Sequence, residues 1–159
     1  MGIEFKDYSD EVKEKINDAL IAGLYEAAGE IEGQVKRNMK QHSDKGQTRN
    51  AWTYRVDESK LIATIGNPLE NAIWEELGTG EWAVDGKGRK KTWYVPVDGY
   101  TGTKKPTYNG QVVIVYGKEG QKFYKTNGKK PNRALHSAFV TKRNVVIELI
   151  KNKLKNIRV

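Results

Sequence analysis

Between Ser9 and Lys40, apolar residues fall at Val12, Ile16, Leu20, Leu24, Ala27, Ile31, Val35 and Met39, three or four positions apart throughout. That spacing returns to one side of a helix every turn and predicts a long amphipathic helix, about 45–50 Å at ~1.5 Å per residue. Asp7 or Ser9 can cap its start. Asp10, Glu11 and Glu14 suit the positive end of its dipole, and Lys36, Arg37 and Lys40 the negative end. Gly23, Gly29 and Gly33 lie inside the pattern, each costing up to ~1 kcal/mol of helix propensity. They are either tolerated surface glycines or marks of close packing or a kink.

After a polar loop over Gln41–Gly46, Thr48–Trp52 reads as a short turn. Thr53–Asp57 alternates apolar and polar residues as a half-exposed strand does, and Leu61–Ile65 offers its hairpin partner across Asp57–Lys60. Gly66-Asn67-Pro68 ends the hairpin, and Glu70–Leu77 reads as a short helix. Trp93–Val97 and Gln111–Tyr116 read as strands, the second apolar enough to be covered on both faces. Asp98–Gly110 between them has the composition of a long loop. From Pro131 to Ile157, Leu135, Phe139, Val146, Leu149 or Ile150, Leu154 and Ile157 mark a second amphipathic helix, with Asn132 as its cap and Lys151, Lys153, Lys155 and Arg158 at its end. The result is an α+β organisation: long N-terminal and C-terminal helices packed on a small, mainly antiparallel sheet with a long basic loop.

The 159 residues, 37% hydrophobic and 30% charged, fit one domain spanning 1–159, with a basic, loop-rich insertion over about 80–130. No repeat and no low-complexity segment is visible. Absence of cysteine rules out disulfides, thiolate zinc sites and cysteine nucleophiles. The N-terminus lacks a basic stretch followed by an apolar one, and no apolar run reaches the roughly 20 residues of a membrane span. The chain is therefore expected in the cytosol. Its net charge of +8 is unevenly spread. Residues 1–35 hold nine acids against three bases, while 87–130 hold eleven Lys/Arg against two acids. The basic stretch is a solvated loop set, a contact for nucleic-acid phosphates, or a contact for an acidic partner, including the acidic N-terminal part of another copy.

Candidate chemistry is sparse. His42 and His136 are not at metal-ligand spacing and read as ordinary histidines. Glu70, Glu75, Glu76 and Glu81 cluster in sequence, so a paired-carboxylate hydrolase is conceivable. On a helix Glu75 and Glu76 point about 100° apart, however, and Glu76 reads as a solvated or ion-paired acid. Gly86-Lys87-Gly88-Arg89-Lys90-Lys91 resembles a phosphate loop in composition only, lacking the Gly-Lys-Ser/Thr ending and a following apolar helix. Trp74, Trp82, Trp93, Tyr94, Tyr100, Tyr108, Tyr116 and Tyr124 serve core or subunit packing, or stack on single-stranded nucleic acid. No catalytic, cofactor-binding or metal-binding residue is expected.

The most distinctive segment is Ala72-Ile73-Trp74-Glu75-Glu76-Leu77-Gly78-Thr79-Gly80. Its glycines suit a sharp helix exit at positive φ, with Thr79 bonding freed backbone groups locally. With Asn71 in front it is similar to the Tyr-Ala-Xaa-Xaa-Xaa-Glu-Xaa-Gly-Thr signature of the phage head-tail joining and tail-completion family, small neck proteins that include minor-tail and tail-terminator components. Glu76, Gly78 and Thr79 match best. Lys130-Pro131-Asn132-Arg133-Ala134-Leu135, heading a helix with Ala138 and Phe139, resembles the family's closing element. Asn71 stands where an aromatic is common, and Thr48 lacks the glycine that follows it in the family.

The resemblance implies a non-enzymatic α+β virion protein without cofactors, assembling with itself into a ring, commonly a hexamer, between head connector and tail tube. Ala72, Trp74, Glu76, Gly78 and Thr79 would then be architectural. The implied partners are further copies, the tail-tube protein and the connector or head-completion protein. Lys87, Arg89, Lys90, Lys91, Lys104 and Lys105 would face passing DNA or a partner. No membrane is involved; the protein would sit in the virion neck and, during assembly, in host cytoplasm. The alternative is a basic nucleic-acid-binding protein that forms no ring.

Overall fold

The computed structural model describes residues 6–39, 46–102 and 104–157. The elements follow the order α1 (Ser9–Asn38), α2 (Gln47–Asn50), β1 (Thr53–Asp57), β2 (Ile62–Gly66), α3 (Asn71–Leu77), β3 (Trp93–Pro96), β4 (Val113–Tyr116), β5 (Lys122–Thr126) and α4 (Ala134–Lys155). The chain divides into two compact units, one formed by residues up to Gln34 with Thr53–Gly66 and those from Ala138 onward, the other by Val35–Trp52 and Asn67–Ser137. The class is α+β.

In the first unit the helical spacing of α1 buries Ala27, Ala28 and Ile31, and α4 buries Ala138. Gly23 explains itself here: a Cβ on it would lie 3.3 Å from the Cα and Cγ1 of Ile150, so the helices approach closely at this point. Lys142 pairs with Glu30 at 2.7 Å, and Lys153 with Glu26 at 2.5 Å, along the same contact. Asp7, rather than Ser9, supplies the cap of α1, accepting the Ser9 amide at 2.8 Å. Bonds from the Ser9 hydroxyl and amide hold the Asp7 carboxyl below its usual range.

The β1–β2 hairpin is antiparallel, pairing Thr53 with Gly66 and Asp57 with Ile62. Asp57 organises its turn, accepting the Ser59 hydroxyl at 2.7 Å and the Lys60 amide at 3.1 Å. Those bonds, the Ser59 one foremost, depress the Asp57 carboxyl. The turn therefore has their support at neutral pH and loses it as pH falls below the ordinary carboxylate value and through the depressed one. Tyr54 packs edge-on against Tyr25, ring centroids 6.4 Å apart, and the Tyr25 hydroxyl donates to Glu58 at 2.9 Å.

Gly29 is different from Gly23. A Cβ there meets only the Tyr54 ring, at 3.8 Å, an ordinary contact. Gly29→Ala is thus expected to stabilise the protein by about 0.5–1 kcal/mol through helix propensity, read as a higher urea midpoint at unchanged m-value. A lower midpoint would count against this packing.

The second unit is built around a three-stranded antiparallel sheet in the order β3-β5-β4. Tyr94 pairs with Lys125, Val95 and Ile114 with Tyr124, and Val115 with Phe123. The alternation turns Tyr124 and Thr126 inward, both buried. Trp52 is also buried, its indole N–H donating to the Met39 sulfur at 2.8 Å, beside fully buried Val35.

Three expectations change. The single small sheet is two sheets, and the central strand of the larger, β5, had no place in the sequence reading. The strand at 113–116 is an edge strand rather than covered on both faces, and Val112, Ile114 and Tyr116 are exposed. The last helix begins at Ala134, not at Pro131, because Arg133 sits at φ +52 and breaks the run. His42 and the rest of the polar loop at 40–45 lie outside the described residues. No helix among the described residues is long and apolar enough to cross a membrane.

Candidate functional site

Helix α3 ends where Gly78 turns to φ +71 while its amide still reaches the Trp74 carbonyl at 2.9 Å. Only glycine fits this exit, because a Cβ at Gly78 would stand 2.8 Å from the Lys129 carbonyl and from Pro131. Gly80, at φ +63, is tighter still: its Cβ would lie 2.1 Å from the Asn127 carbonyl oxygen. The corner is therefore molded on the 127–131 backbone.

Hydrogen bonds follow this close approach. The Thr79 amide donates to the Lys129 carbonyl at 2.9 Å, and the Lys129 amide donates back to the Thr79 hydroxyl at 3.0 Å. Thr79 thus bonds a strand exit fifty residues away instead of its own helix end. The Glu81 amide donates to Asn127 at 3.0 Å, and the Asn132 amide to the Glu75 carbonyl at 2.7 Å.

The carboxylates complete the clasp. Glu76 accepts the amides of Leu135 and His136, both at 2.9 Å. These are among the unsatisfied donors of the first turn of α4, so Glu76 performs from 59 residues away what an N-cap side chain does locally. Glu76 is half-buried and spans these two amides, and among the described residues it forms no ion pair and Asn132 makes no cap bond. Glu75 takes the ammonium of Lys129. Glu81 accepts the side-chain amide of Asn127 at 2.8 Å. These three carboxylates each serve a different partner, and among the described residues no three acidic or histidine side chains gather to hold a metal ion.

Asn127, which no sequence signal marks, is the hub. Almost fully buried, it also donates to the Asn109 side chain at 3.0 Å and so ties the 98–110 loop to the corner. Tyr100 pins the same loop by stacking edge-on with Tyr124 at 5.6 Å. Ala72 is buried behind α3, whereas Trp74 faces solvent. Asn71 and Thr48, the positions at which the chain departs from the neck-protein pattern, meet: the Asn71 amide donates to the Thr48 hydroxyl at 3.0 Å.

From Gly80 the chain passes through two 3-10 turns, Gly80–Trp82 and Val84–Gly86, into the basic loop. That loop is anchored rather than free-standing, since Gly88 packs so tightly on the Gly80 carbonyl that a Cβ would stand 2.1 Å from it. Lys87, Arg89, Lys90, Lys91, Lys104 and Lys105 are all exposed. Cations here lie over aromatic rings, Arg89 on Trp93 at 5.6 Å, Lys130 on Trp82 at 4.9 Å and Lys125 on Tyr108 at 4.0 Å. The structure does not bring the basic loop into a phosphate cradle at a helix N-terminus. Of the aromatics, Tyr124 is buried, while Trp74, Trp82, Tyr94 and Tyr116 stand on the surface.

Fold and site together define an α+β protein whose signature segment is a structural clasp between a short helix and the start of the last one. No family model, curated protein or solved structure matches the chain.

Proposed function

We propose that this chain is a structural virion protein of a phage or prophage that forms a ring at the head-tail junction, completing the tail and joining it to the head connector. One observation carries the reading. The two short segments that resemble the neck family, 71–80 and 130–135, are joined in a single hydrogen-bonded corner, with Glu76, Gly78 and Thr79 making its contacts. A signature employed in this way suits an architectural role. Exposed aromatics and an uneven charge distribution suit repeated contacts between copies. On this reading the partners are other copies, the tail-tube protein and the connector, and the site of action is the virion neck.

Electron microscopy of the purified protein, alone and mixed with tail tubes of the phage that encodes it, tests the proposal. Closed rings of one copy number that seat on tube ends are expected. Monomers that leave the ends bare would overturn it.

The exposure of all six basic-loop cations favours a second reading, a nucleic-acid-binding protein that acts without a ring. It requires salt-dependent DNA binding by a monomer, weakened when Lys90, Lys91, Lys104 and Lys105 are neutralised. Absence of binding at low salt removes this reading and, with it, a DNA-facing role for the loop within a ring.

A further inference from the structure

Among the described residues of the second unit, apolar side chains stand exposed on α3 and on the outer face of the sheet. Leu69, just before α3, and Ile73 and Leu77 on it fall four positions apart in one stripe with Trp74 beside it, and Ile73 and Trp74 are 55% and 50% exposed. Glu70 lies on the same face by helical position, and no Lys or Arg occurs between Lys60 and Lys87. This is a convex, apolar ridge edged by acid. The other surface is a shallow depression of about 380 Å³ on the outer face and rim of the sheet, lined by Tyr94, Val115, Tyr116, Gly117 and Phe123. Tyr94 is 56% and Tyr116 71% exposed. Lys118 and Lys122 are exposed in the turn and strand that border it, with exposed Glu119 between them taken up by the Gln121 side-chain amide, so the border is net basic.

Like surfaces cannot meet well across a two-fold axis, since ridge on ridge opposes Glu70 to Glu70 and hollow on hollow opposes lysine to lysine. Ridge in hollow opposes unlike charges and places a Trp against Tyr and Phe, the residue types that anchor interfaces. Such a contact is heterologous, and repetition closes a ring or runs into a filament. Resting on the ring reading above, we propose that α3 of one copy seats in the sheet hollow of the next, with Trp74 as the anchor. The signature helix thereby becomes the subunit contact as well as the support of the corner.

Mixing two assembly-defective variants tests this. Trp74→Glu spoils the ridge and Tyr94→Glu the hollow, each at a half-exposed site that leaves the far-UV circular dichroism unchanged. By sedimentation velocity each is expected to weaken self-association roughly 30-fold or more, the size of an interface hot spot. An equimolar mixture retains one good ridge and one good hollow, so it is expected to form a heterodimer and nothing larger. Leu77→Glu with Tyr116→Glu repeats the test should either first variant fail to fold. Variants that assemble like the wild type would overturn this contact while leaving the ring reading standing. Loss of assembly in both variants with no heterodimer on mixing would overturn the ridge-in-hollow pairing. A wild-type chain monomeric at its highest soluble concentration would remove both proposals, and Tyr94→Glu losing oligo-dT affinity without losing assembly would assign the hollow to nucleic acid instead.

Discussion

Replacing Glu76 by Ala is expected to destabilise the protein by about 2–3 kcal/mol, near the upper end for loss of a helix cap, because two charge-assisted bonds disappear together. The Leu135 and His136 amides lose their acceptor, and the carboxylate no longer opposes the positive end of the α4 dipole. His136 is exposed and Leu135 half-buried, so water repairs part of the loss, which keeps the figure below the sum of two such bonds. Glu76→Gln retains one acceptor and the shape of the side chain, so about half the cost is expected. In thermal unfolding the Ala variant should melt about 5–10 °C lower for a chain of this size. Coinciding urea midpoints for wild type and Glu76→Ala would show that the cap contributes nothing.

Gly80→Ala is expected to be as damaging or more so, by about 2–5 kcal/mol. A side chain at φ +63 costs about 1–2 kcal/mol by itself, and a Cβ 2.1 Å from the Asn127 carbonyl adds overpacking of about 1–3 kcal/mol. The obstacle is backbone on the far side, so it cannot rotate away. Against a typical total of about 5–15 kcal/mol, the variant should express poorly or be largely unfolded at 37 °C. Two other glycines calibrate the result. Gly99, at φ +81 with nothing within 4 Å of its Cβ, should show only the conformational part, and Gly66, open and without positive φ, should be close to neutral. Equal urea midpoints for the Gly80 and Gly66 variants would contradict the corner as described.

The contrast between these positions also explains what was legible in the chain. Helix α1 was plain because its apolar spacing is continuous from Val12 to Met39, and the β1–β2 hairpin because alternation and an Asp-led turn coincide. Strand β5 was hidden: Phe123 and Tyr124 are adjacent, which breaks alternation, and Lys122 and Lys125 merge it with the basic stretch. Its one available cue was Gly117-Lys118-Glu119-Gly120, which closes the β4–β5 turn through the Gly120 amide and Gly117 carbonyl at 3.1 Å. At the corner, the glycines announced themselves, since positive φ is a local property. What they pack against was not local. Glu76 and its amides are 59 residues apart and Asn127 looks like any loop asparagine, so no pattern of residue types could pair them. The start of α4 was misplaced because Arg133 takes a positive φ that its residue type does not announce, and the carboxylate that caps the helix comes from α3.

That distance in sequence has a consequence for the order in which the protein is finished. A ribosome releases Glu76, Gly78 and Thr79 well before Lys129, Leu135 and His136, so the corner stands open until the final quarter of the chain emerges. The last helix is then a latch that closes on an element made earlier, and a nascent chain halted before 127 has Glu76, Gly78 and Thr79 and none of the clasp.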